Sequence, residues 1–269
     1  MAYEIIALDL DGTLLDSQKQ ITKATKQAIT DIMAAGKKVV LASGRPTKGM
    51  LPIMEELELQ KYEGYVISYN GSRITHCKTG EHVYDATLPC EFLADSVDIA
   101  EQFDMDLITY DDEHIYCNRK PNEYTTYELK AEQMGLVITE DVKKWIDFPV
   151  NKCMFVGDPE VAVKAEEVLQ ERYRHLYSIY RSEPFFVEVM PKNTDKATAL
   201  ERLLEHLGLT REQLICCGDG YNDVPMIAYA GLGVAMANAR EEVKEEADYI
   251  TKSNDEDGVK HVIEMYMKK

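Results

Sequence analysis

Three short apolar runs in this chain each lead directly into a cluster of polar residues, and this repeated pattern limits the folds that the chain can adopt. The runs and their clusters are Ile5 to Leu8 with Asp9–Thr13, Val39 to Ala42 with Ser43–Pro46, and Leu214 to Cys217 with Gly218–Asp223. Each run has the length and composition of a buried strand. Because open α/β sheets bind ligands at the carboxyl ends of their strands, we expect the three clusters to meet at one site.

The first cluster places two carboxylates where a strand ends. Side chains two residues apart on an extended segment share a face, so Asp9 and Asp11 are expected to point into the same site. Gly12 supplies the backbone freedom for a sharp turn, whose N–H groups can be aimed at an anion. A calcium-binding EF-hand loop is excluded, because its template would put Gln18 where a bidentate glutamate is required. The local chemistry therefore indicates a metal or a phosphate group.

The other clusters add further acids, a hydroxyl and a cation. The Gly218–Asp223 cluster lacks the third glycine of a dinucleotide fingerprint and carries acids where a pyrophosphate would sit, so dinucleotide binding is not expected. Ser43 and nearby backbone N–H groups are suited to hold phosphate oxygens. Lys196 lies near the start of a predicted helix, whose apolar residues at helical spacing are Ala199, Leu200, Leu203, Leu204 and Leu207.

These four pieces, in this order, resemble the motifs of the haloacid dehalogenase-like phosphatase superfamily. Those motifs are D-x-D-x-T, a serine or threonine at a strand end, a lysine, and an acidic G-D-x-x-N-D. The chain matches them at Asp9–Thr13, Ser43, Lys196 and Gly218–Asp223. The resemblance spans nearly the whole chain and extends to the Cof-type branch through Ser43–Pro46, Tyr69–Gly71 and Asn254–Val259.

The resemblance implies a role for each matching residue. Asp9 would attack phosphorus and form an aspartyl-phosphate, and Asp11 would act first as the general acid and then as the general base. Mg²⁺ would be held by the Asp9 carboxylate, the Asp11 backbone carbonyl and Asp219. Asp223 would belong to the same metal site without contacting the ion directly. The residues implied in binding the substrate phosphate are Leu10, Ser43, Gly44, Arg45, Lys196 and Asn222.

The implied reaction is Mg²⁺-dependent hydrolysis of small phosphate monoesters. Sugar phosphates are the first expected substrates, and small phosphometabolites such as flavin mononucleotide or pyridoxal phosphate come second. Two alternatives stay open at this point. One is a phosphomutase or phosphotransferase that uses the same aspartyl-phosphate but passes the phosphoryl group to another hydroxyl. The other is a regulatory module in which phosphorylation of Asp9 switches partner binding.

Composition limits the binding partners and the cellular compartment expected for this protein. The chain has 30 basic and 48 acidic side chains and a formal net charge of −18, which argues against binding to nucleic acid or to anionic membranes. We therefore expect a small-molecule phosphate ester as the partner, and a monomer or homodimer. The six cysteines include no C-x-x-C pair, so reduced thiols in the cytoplasm are expected. No segment approaches the roughly 20 apolar residues of a membrane span.

Alternating strand and helix patterns predict an α/β fold, with a doubly wound, mostly parallel, Rossmann-like sheet as its core. The middle of the chain breaks this rhythm with short strand pairs, such as Leu107 to Tyr110 with Ile115 to Cys117, which read as antiparallel. We therefore expect a discontinuous phosphatase core domain over 1–82 and 186–269, interrupted by an α+β cap domain over 83–185. Trp145 falls in this insertion and is expected to pack within it.

Overall fold

A computed structural model describes residues 2–132, 134–139 and 148–268 of the chain. The chain divides into two compact units, each with its own sheet. The first unit contains Met1–Gly44, Leu51–Tyr84 and Asp195–Lys269, and the second contains Arg45–Met50 and Asp85–Thr194. Trp145 lies outside the described residues.

The first unit is built on an eight-stranded sheet. Its strands are β1 (Ile5–Leu8), β2 (Lys38–Ala42), β3 (Tyr65–Ser68), β4 (Arg73–His76), β5 (His82–Asp85), β12 (Leu214–Gly218), β13 (Leu232–Ala235) and β14 (Tyr249–Ile250). They lie in the order β14-β13-β12-β1-β2-β3-β4-β5. The pairs from β14 to β3 are parallel, and β4 pairs with β3 in the antiparallel direction. The predicted mostly parallel sheet is therefore confirmed.

The register of the central strands brings their ends to one edge. Leu8 at the end of β1 lies opposite Leu41 on one side and Cys217 on the other. The chain therefore leaves all three strands at nearly the same height, and the polar clusters that follow them start at the same edge of the sheet. This alignment is the structural basis of the site.

Helices cover both faces of this sheet, which is why its central strand is apolar throughout. The helices of this unit are α1 (Lys23–Ala34), α2 (Thr47–Glu56, which begins in the second unit), α6 (Lys196–Leu207), α7 (Val224–Tyr229), α8 (Glu241–Glu245) and α9 (Gly258–Tyr266). All four residues of β1 are fully buried. Ile5 and Ala7 pack in a core cluster with residues of α6 such as Leu200. A strand buried on both faces needs no alternation of polar and apolar residues.

The second unit contains a six-stranded sheet, in the order β10-β11-β9-β6-β7-β8. Its elements are α3 (Cys90–Gln102), β6 (Asp106–Tyr110), β7 (His114–Cys117), α4 (Glu123–Glu132), β8 (Gly135–Ile138), β9 (Cys153–Val156), α5 (Pro159–Tyr173), β10 (Tyr177–Glu183) and β11 (Phe186–Pro191). The predicted antiparallel pairing of β6 with β7 is confirmed. Helices α3 and α5 pack on one face of the sheet through an apolar cluster that includes Phe92, Phe155 and Leu169.

The boundary expected at residue 186 needs correction. Residues 186–191 form β11, which pairs with β9 and β10 in the sheet of the second unit, and the first unit resumes only at Asp195. The short stretch Arg45–Met50 is also grouped with the second unit. The apolar pattern of β11 predicts a strand correctly, but such a pattern carries no information about which sheet the strand joins.

Helix α4 buries a polar face, which its sequence pattern does not indicate. Its buried side chains are Thr125, Glu128 and Glu132. The Tyr110 hydroxyl of β6 donates a hydrogen bond to Glu128 Oε1 at 2.7 Å. The Lys152 ammonium lies 3.6 Å from Glu188 Oε2, and both side chains are buried. The second unit therefore contains a buried ionic group as well as an apolar core. None of the helices in the part of the chain described here is long and apolar enough to cross a membrane.

Helix α6 has a defined start and end, and the start fixes the position of Lys196. The Asp195 carboxylate accepts a hydrogen bond from the Thr198 N–H at 2.8 Å, which caps the first turn. Gly208 ends the helix in the left-handed conformation, with φ of 66°. Lys196 is thus the first residue of a helix that is anchored at both ends.

We predict that Gly208→Ala destabilises the protein while Gly208→Asn does so less. A Cβ at this position meets no other atom within 4 Å, so the cost comes from the left-handed backbone alone. That cost is about 1 kcal/mol in the free energy of unfolding for alanine, and asparagine tolerates the conformation better. Urea denaturation of the three proteins measures it. Equal stability of the glycine and alanine forms would contradict the role given to Gly208.

Candidate active site

The centre of the site is a buried ammonium group between two carboxylates. Lys196 Nζ donates a hydrogen bond of 2.6 Å to Asp9 Oδ1 and another of 2.6 Å to Asp223 Oδ1. All three side chains are buried, and Lys196 is fully so. Asp9 follows β1, and its backbone N–H donates to Cys217 O at the end of β12, at 3.1 Å. Three distant segments of the chain therefore meet at one point, as the sequence predicts.

The second carboxylate oxygen of Asp223 shapes the loop that carries Asp219. Asp223 Oδ2 accepts hydrogen bonds from the backbone N–H groups of Asp219 and Gly220, both at 2.9 Å. These bonds fold the loop back on itself after β12. The Asp219 side chain is held in turn by the Thr13 hydroxyl, which donates to Asp219 Oδ1 at 2.9 Å. Asp223 is therefore tied both to the lysine and to the backbone around Asp219.

Gly12 allows the loop after β1 to approach Asp219 closely. Its φ of 88° lies in the region that favours glycine. A Cβ at this position would lie only 2.3 Å from Asp219 Oδ2. Any side chain at residue 12 would therefore displace the Asp219 carboxylate, so glycine is required here for space as well as for conformation.

Burial and mutual repulsion shift the ionisation of these groups. Burial raises the pKa of Asp9 to about 8, and the adjacent Asp223 carboxylate raises it while Lys196 opposes the rise. Burial also raises the pKa of Asp219 to about 6. For Lys196, burial disfavours the charged form, but the Asp223 and Asp9 carboxylates more than offset this and raise its pKa. Lys196 therefore stays charged, but its single positive charge does not neutralise the surrounding carboxylates.

The donor set fits a hard divalent cation. Asp9, Asp219 and Asp223 each offer a carboxylate oxygen, and these oxygens lie within 4.8 Å of one another. Lys196 is hydrogen-bonded to Asp9 and Asp223, while Asp219 accepts from Thr13, so a further cation would relieve the repulsion that adds to burial in raising the pKa of Asp9. Ligands that are all oxygen suit Mg²⁺ rather than zinc. The chemistry of these residues is therefore compatible with the expected magnesium ion.

A second group of polar residues is organised around Asn70. The Asn222 side-chain amide donates to Asn70 Oδ1 at 2.9 Å, and the Asn70 backbone N–H donates to Ser43 O at 2.9 Å. A Cβ at Gly44 would lie 3.1 Å from Asn70 Nδ2. Asn70 itself is buried and has a φ of 51°. The structure thus brings Ser43, Gly44 and Asn222 together through a residue that was not among the expected site residues.

Three of the predicted site residues, Asp11, Leu10 and Arg45, are described by contacts or positions other than hydrogen bonds to Lys196. The Asp11 carboxylate is partly exposed and forms an ion pair with Lys19, with 2.7 Å between Oδ1 and Nζ. Leu10 is buried, and its carbonyl oxygen accepts the N–H of Leu15 at 2.9 Å. Arg45 is grouped with the second unit. Asp9 thus lies in the acidic cluster, and the Asp11 carboxylate, besides its ion pair with Lys19, adds to the effect of burial in raising the pKa of Asp219.

Sequence reasoning missed Thr13 and Asn70 as functional residues. Thr13 was visible as the last residue of the D-x-D-x-T pattern, and its hydroxyl fixes Asp219. Asn70 lies in the Tyr69–Gly71 stretch directly after β3, and asparagine at a strand end is typical of a left-handed backbone position. Both signals were present in the sequence, but neither indicates which distant side chain is contacted.

Sequence comparison assigns the chain to a family. The sequence pattern of the family described as haloacid dehalogenase-like hydrolase matches residues 6–263. YxeH of Bacillus subtilis (strain 168), named as a candidate phosphatase, is 35% identical over 262 residues that cover 97% of each chain. The 5-amino-6-(5-phospho-D-ribitylamino)uracil phosphatase YcsE of the same organism is 31% identical over 261 residues, covering 97% of this chain and 94% of its own.

Solved structures agree with this assignment. A haloacid dehalogenase-like hydrolase from Bacteroides thetaiotaomicron superposes with a TM-score of 0.94 at 41% identity, covering 98% of this chain and 99% of its own. The HAD subclass IIB sugar phosphatase BT4131 superposes with a TM-score of 0.81 at 25% identity, covering 98% of both chains. The α/β fold described above is therefore the fold of haloacid dehalogenase-like hydrolases. The chain belongs to the haloacid dehalogenase-like hydrolases, and the prediction of an enzyme is confirmed.

We predict that Lys196→Met strongly destabilises the metal-free protein. The substitution leaves Asp9 and Asp223 buried without their shared cation, and breaking a buried ion pair on one side costs about 3 kcal/mol or more. Urea denaturation in chelator-treated buffer measures the free energy of unfolding. The matched control is Lys26→Met, which removes a half-exposed pair with Glu56 at 3.6 Å and should change little. Similar effects of the two substitutions would contradict this account of the site.

Proposed function

We propose that this protein is a Mg²⁺-dependent phosphomonoester hydrolase that acts on small phosphometabolites, sugar phosphates first among them, through an aspartyl-phosphate formed on Asp9. The single observation that carries the proposal is the position of Asp9. Its carboxylate is buried at the end of β1, bonded to Lys196, and surrounded by further acids that suit a cation. The free cysteines, the net charge of −18 and the family's small substrates support a cytoplasmic monomer or homodimer that binds neither nucleic acid nor membranes.

Electrostatics explains why the nucleophile needs its neighbours. A phosphate monoester carries close to two negative charges near neutral pH. At a separation of about 4 Å and an effective dielectric of about 20, a carboxylate is repelled by about 4 kcal/mol per charge pair. Lys196 Nζ, at 2.6 Å from Asp9, offsets part of this repulsion. A bound Mg²⁺ would supply the remaining positive charge for the approach of phosphate and for its transition state.

The residues that would hold the metal are those of the acidic cluster. Asp9 and Asp219 would bind it through their carboxylates, and Asp11 would bind it through its backbone carbonyl. Asp223 would support the metal site without binding the ion directly, because its two oxygens already bind Lys196 and the backbone of the Asp219 loop. The Thr13 hydroxyl would keep Asp219 oriented toward the ion.

The chemistry has two steps in which bonds and protons balance. An Asp9 oxygen attacks phosphorus, the bond from phosphorus to the ester oxygen breaks, and protonated Asp11 gives its proton to the departing alcohol. Asp11, now a carboxylate, then takes a proton from water while the water oxygen attacks phosphorus. The bond from phosphorus to Asp9 breaks, inorganic phosphate leaves, and both aspartates return to their starting states.

The remaining residues would position the phosphate group. The Ser43 hydroxyl, the Asn222 amide and the Lys196 ammonium are suited to donate hydrogen bonds to phosphate oxygens. Asn70 fixes the Asn222 amide, since it accepts from Asn222 Nδ2 at 2.9 Å. The backbone N–H groups near Leu10 and Gly44 and the Arg45 guanidinium would complete the set.

The second unit would act as the cap expected from the sequence and would select the substrate. Hydrolytic phosphoryl transfer must admit the substrate and then water, and movement of one domain against another is a common means. Two similar proteins are phosphatases of a phosphorylated ribityl compound and of a sugar phosphate, which supports polyhydroxylated esters as substrates. A mutase or phosphotransferase would need an acceptor hydroxyl, so release of inorganic phosphate from a sugar phosphate alone distinguishes the hydrolase.

We predict that Asp9→Asn lowers kcat for phosphate release by about a thousandfold or more, because an amide is not a nucleophile. The fold should survive, since asparagine keeps an oxygen that can accept from Lys196. Release of inorganic phosphate from a panel of sugar phosphates, with no added acceptor, is the measurement. Asp31→Asn on the exposed face of α1 is the control and should retain wild-type turnover. Wild-type turnover by Asp9→Asn would exclude the covalent mechanism.

We predict that Mg²⁺ both restores activity to chelator-treated protein and raises its melting temperature. A ligand that binds only the folded state stabilises it by mass action, so the shift reports binding without any turnover. Asp219→Asn should lose most of the shift, because it removes a charged ligand of the cluster. Asp31→Asn should show the full shift. Activity that persists in EDTA, or an unchanged shift in Asp219→Asn, would rule out this metal site.

A further inference from the structure

The motif near the C-terminus, Asn254–Val259, has no part in the chemistry proposed above, yet Asn254, Asp255 and Asp257 contact the segment that follows the catalytic acids. We call residues 12–22, which connect Asp11 to helix α1, the acid loop. We call residues Asn254–Asp257 the clamp. Both belong to the first unit. Hydrogen bonds join the clamp directly to Leu15, Ser17 and Thr22 of the acid loop, and Asn238 links it to Gly12.

The first contacts form a chain of amide hydrogen bonds. Asn254 Nδ2 donates to Leu15 O at 2.9 Å, and the Asn254 backbone N–H donates to Asn238 Oδ1 at 3.0 Å. Asn238 Nδ2 in turn donates to Gly12 O at 2.8 Å. Gly12 directly follows Asp11. Asn254 therefore fixes the carbonyl three residues beyond Gly12 and also orients the amide that holds Gly12 itself.

The remaining contacts fix the far end of the acid loop. Asp255 Oδ1 accepts the Ser17 N–H at 2.8 Å. Asp257 Oδ1 accepts hydrogen bonds from the hydroxyls of Thr22 and Thr25, the second of them at 3.1 Å. Thr22 is also the N-cap of α1, since its side chain accepts the Thr25 N–H. Three clamp residues thus bind the acid loop at successive points along its length.

The acid loop packs into the core at both ends, through Leu14 and Leu15 near its start and Ile21 near its end. Its middle is an exposed turn, in which the Asp16 carboxylate accepts the N–H groups of Gln18 and Gln20. Asp11 and Lys19 form an ion pair of partly exposed side chains. Such pairs are weak and do not fix a backbone. The clamp and Asn238 therefore add polar contacts to this apolar anchoring, at Gly12 next to Asp11 and along the exposed turn.

We propose that Asn254 and Asn238 are positioning residues for Asp11, and that the clamp holds the acid loop so that the general acid reaches the ester oxygen of the substrate. This inference rests on the proposed phosphatase function, because it assigns the clamp to the proton-transfer step of that reaction. Proton transfer needs the two heavy atoms at about 3 Å from each other. A loop displaced by about 1 Å can cost up to about a hundredfold in rate.

The proposal predicts a dependence on the leaving group. A sugar phosphate releases an alkoxide that must be protonated as it departs, whereas p-nitrophenyl phosphate releases a stable phenolate that needs little help. Both esters transfer their phosphoryl group to the same nucleophile. The ratio kcat/KM reports the steps up to the first irreversible one, so it is insensitive to later hydrolysis of the aspartyl-phosphate. Loss of acid positioning should therefore lower kcat/KM for the sugar phosphate selectively.

The experiment compares Asn254→Asp, Asn254→Ala and Asn238→Ala with the wild type in saturating Mg²⁺. Asn254→Asp keeps the shape and the backbone bond to Asn238 but cannot donate to Leu15 O. For each variant we expect kcat/KM to fall by about tenfold or more for the sugar phosphate and by less than about threefold for p-nitrophenyl phosphate. Gln27→Ala, which removes an exposed amide bonded to Asp31 on α1, is the control and should match the wild type on both.

A second measurement is independent of activity. Hydrogen–deuterium exchange of peptides covering the acid loop should become faster in all three variants and stay unchanged in Gln27→Ala, because the Ser17 N–H and its neighbours lose a fixed environment. Equal losses of kcat/KM on both esters would overturn the positioning role and leave the clamp a structural element. Unchanged hydrogen–deuterium exchange in the variants would show that the clamp does not hold the acid loop. A wild-type protein that releases no phosphate from either ester would instead refute the proposed function, while the exchange result would still test the clamp.

Discussion

The burial of one ammonium group makes this acidic site possible. Lys196 Nζ lies between the carboxylates of Asp9 and Asp223, at 2.6 Å from each, and no part of its side chain is exposed. Removing these charges from water costs several kcal/mol each, and the ion pairs and the backbone N–H groups on Asp223 return much of that cost. Without the lysine, the buried carboxylates of Asp9 and Asp223 would repel each other, and Asp223, which anchors the loop carrying Asp219, would lose its ion pair.

Strand register and a helix cap together place Lys196 beside the two carboxylates. The parallel register of β2, β1 and β12 aligns the strand ends, and the Asp195 cap starts α6 at the residue that must reach them. The acids gather on loops at the edge of a rigid sheet, while the lysine comes from a helix whose apolar face packs on that sheet. The site therefore inherits its geometry from the core of the first unit. The exposed turn of the acid loop, between the buried Leu15 and Ile21, receives additional support from the clamp in our proposal.

Much of this arrangement could be predicted from the sequence, because strand ends and helix starts leave local signals. The meeting of Asp9, Asp219 and Asp223 is expected from strands that end at one edge of the sheet, whereas the place of Lys196 was implied by the family resemblance. The contacts of Thr13 with Asp219 and of Asn70 with Asn222 could not be predicted, since they join residues 206 and 152 positions apart through single hydrogen bonds. The direction of single side chains could not be predicted either, since the Asp11 carboxylate forms an ion pair with Lys19.

The misplaced domain boundary outside the site has a similar cause. Strand β11 has the apolar pattern of a core strand, yet it joins the second sheet, so the boundary placed at 186 came nine residues before Asp195. Helix α4 buries Glu128 and Glu132 on the face that amphipathic reasoning would make apolar. Local pattern fixes the type of an element. Its partners, and the polar groups that it buries, depend on tertiary contacts that no short window of sequence contains.

The central claim is that Asp9 itself carries the phosphoryl group during turnover. Its most direct test is to quench the enzyme with acid during hydrolysis of a sugar phosphate, reduce it with borohydride, and locate the modified residue by mass spectrometry of its peptides. An aspartyl-phosphate is reduced to homoserine, so the account predicts homoserine at position 9 and at no other aspartate. Reduction at another residue, or the absence of any reduced aspartate in protein quenched while phosphate is being released, would contradict the account.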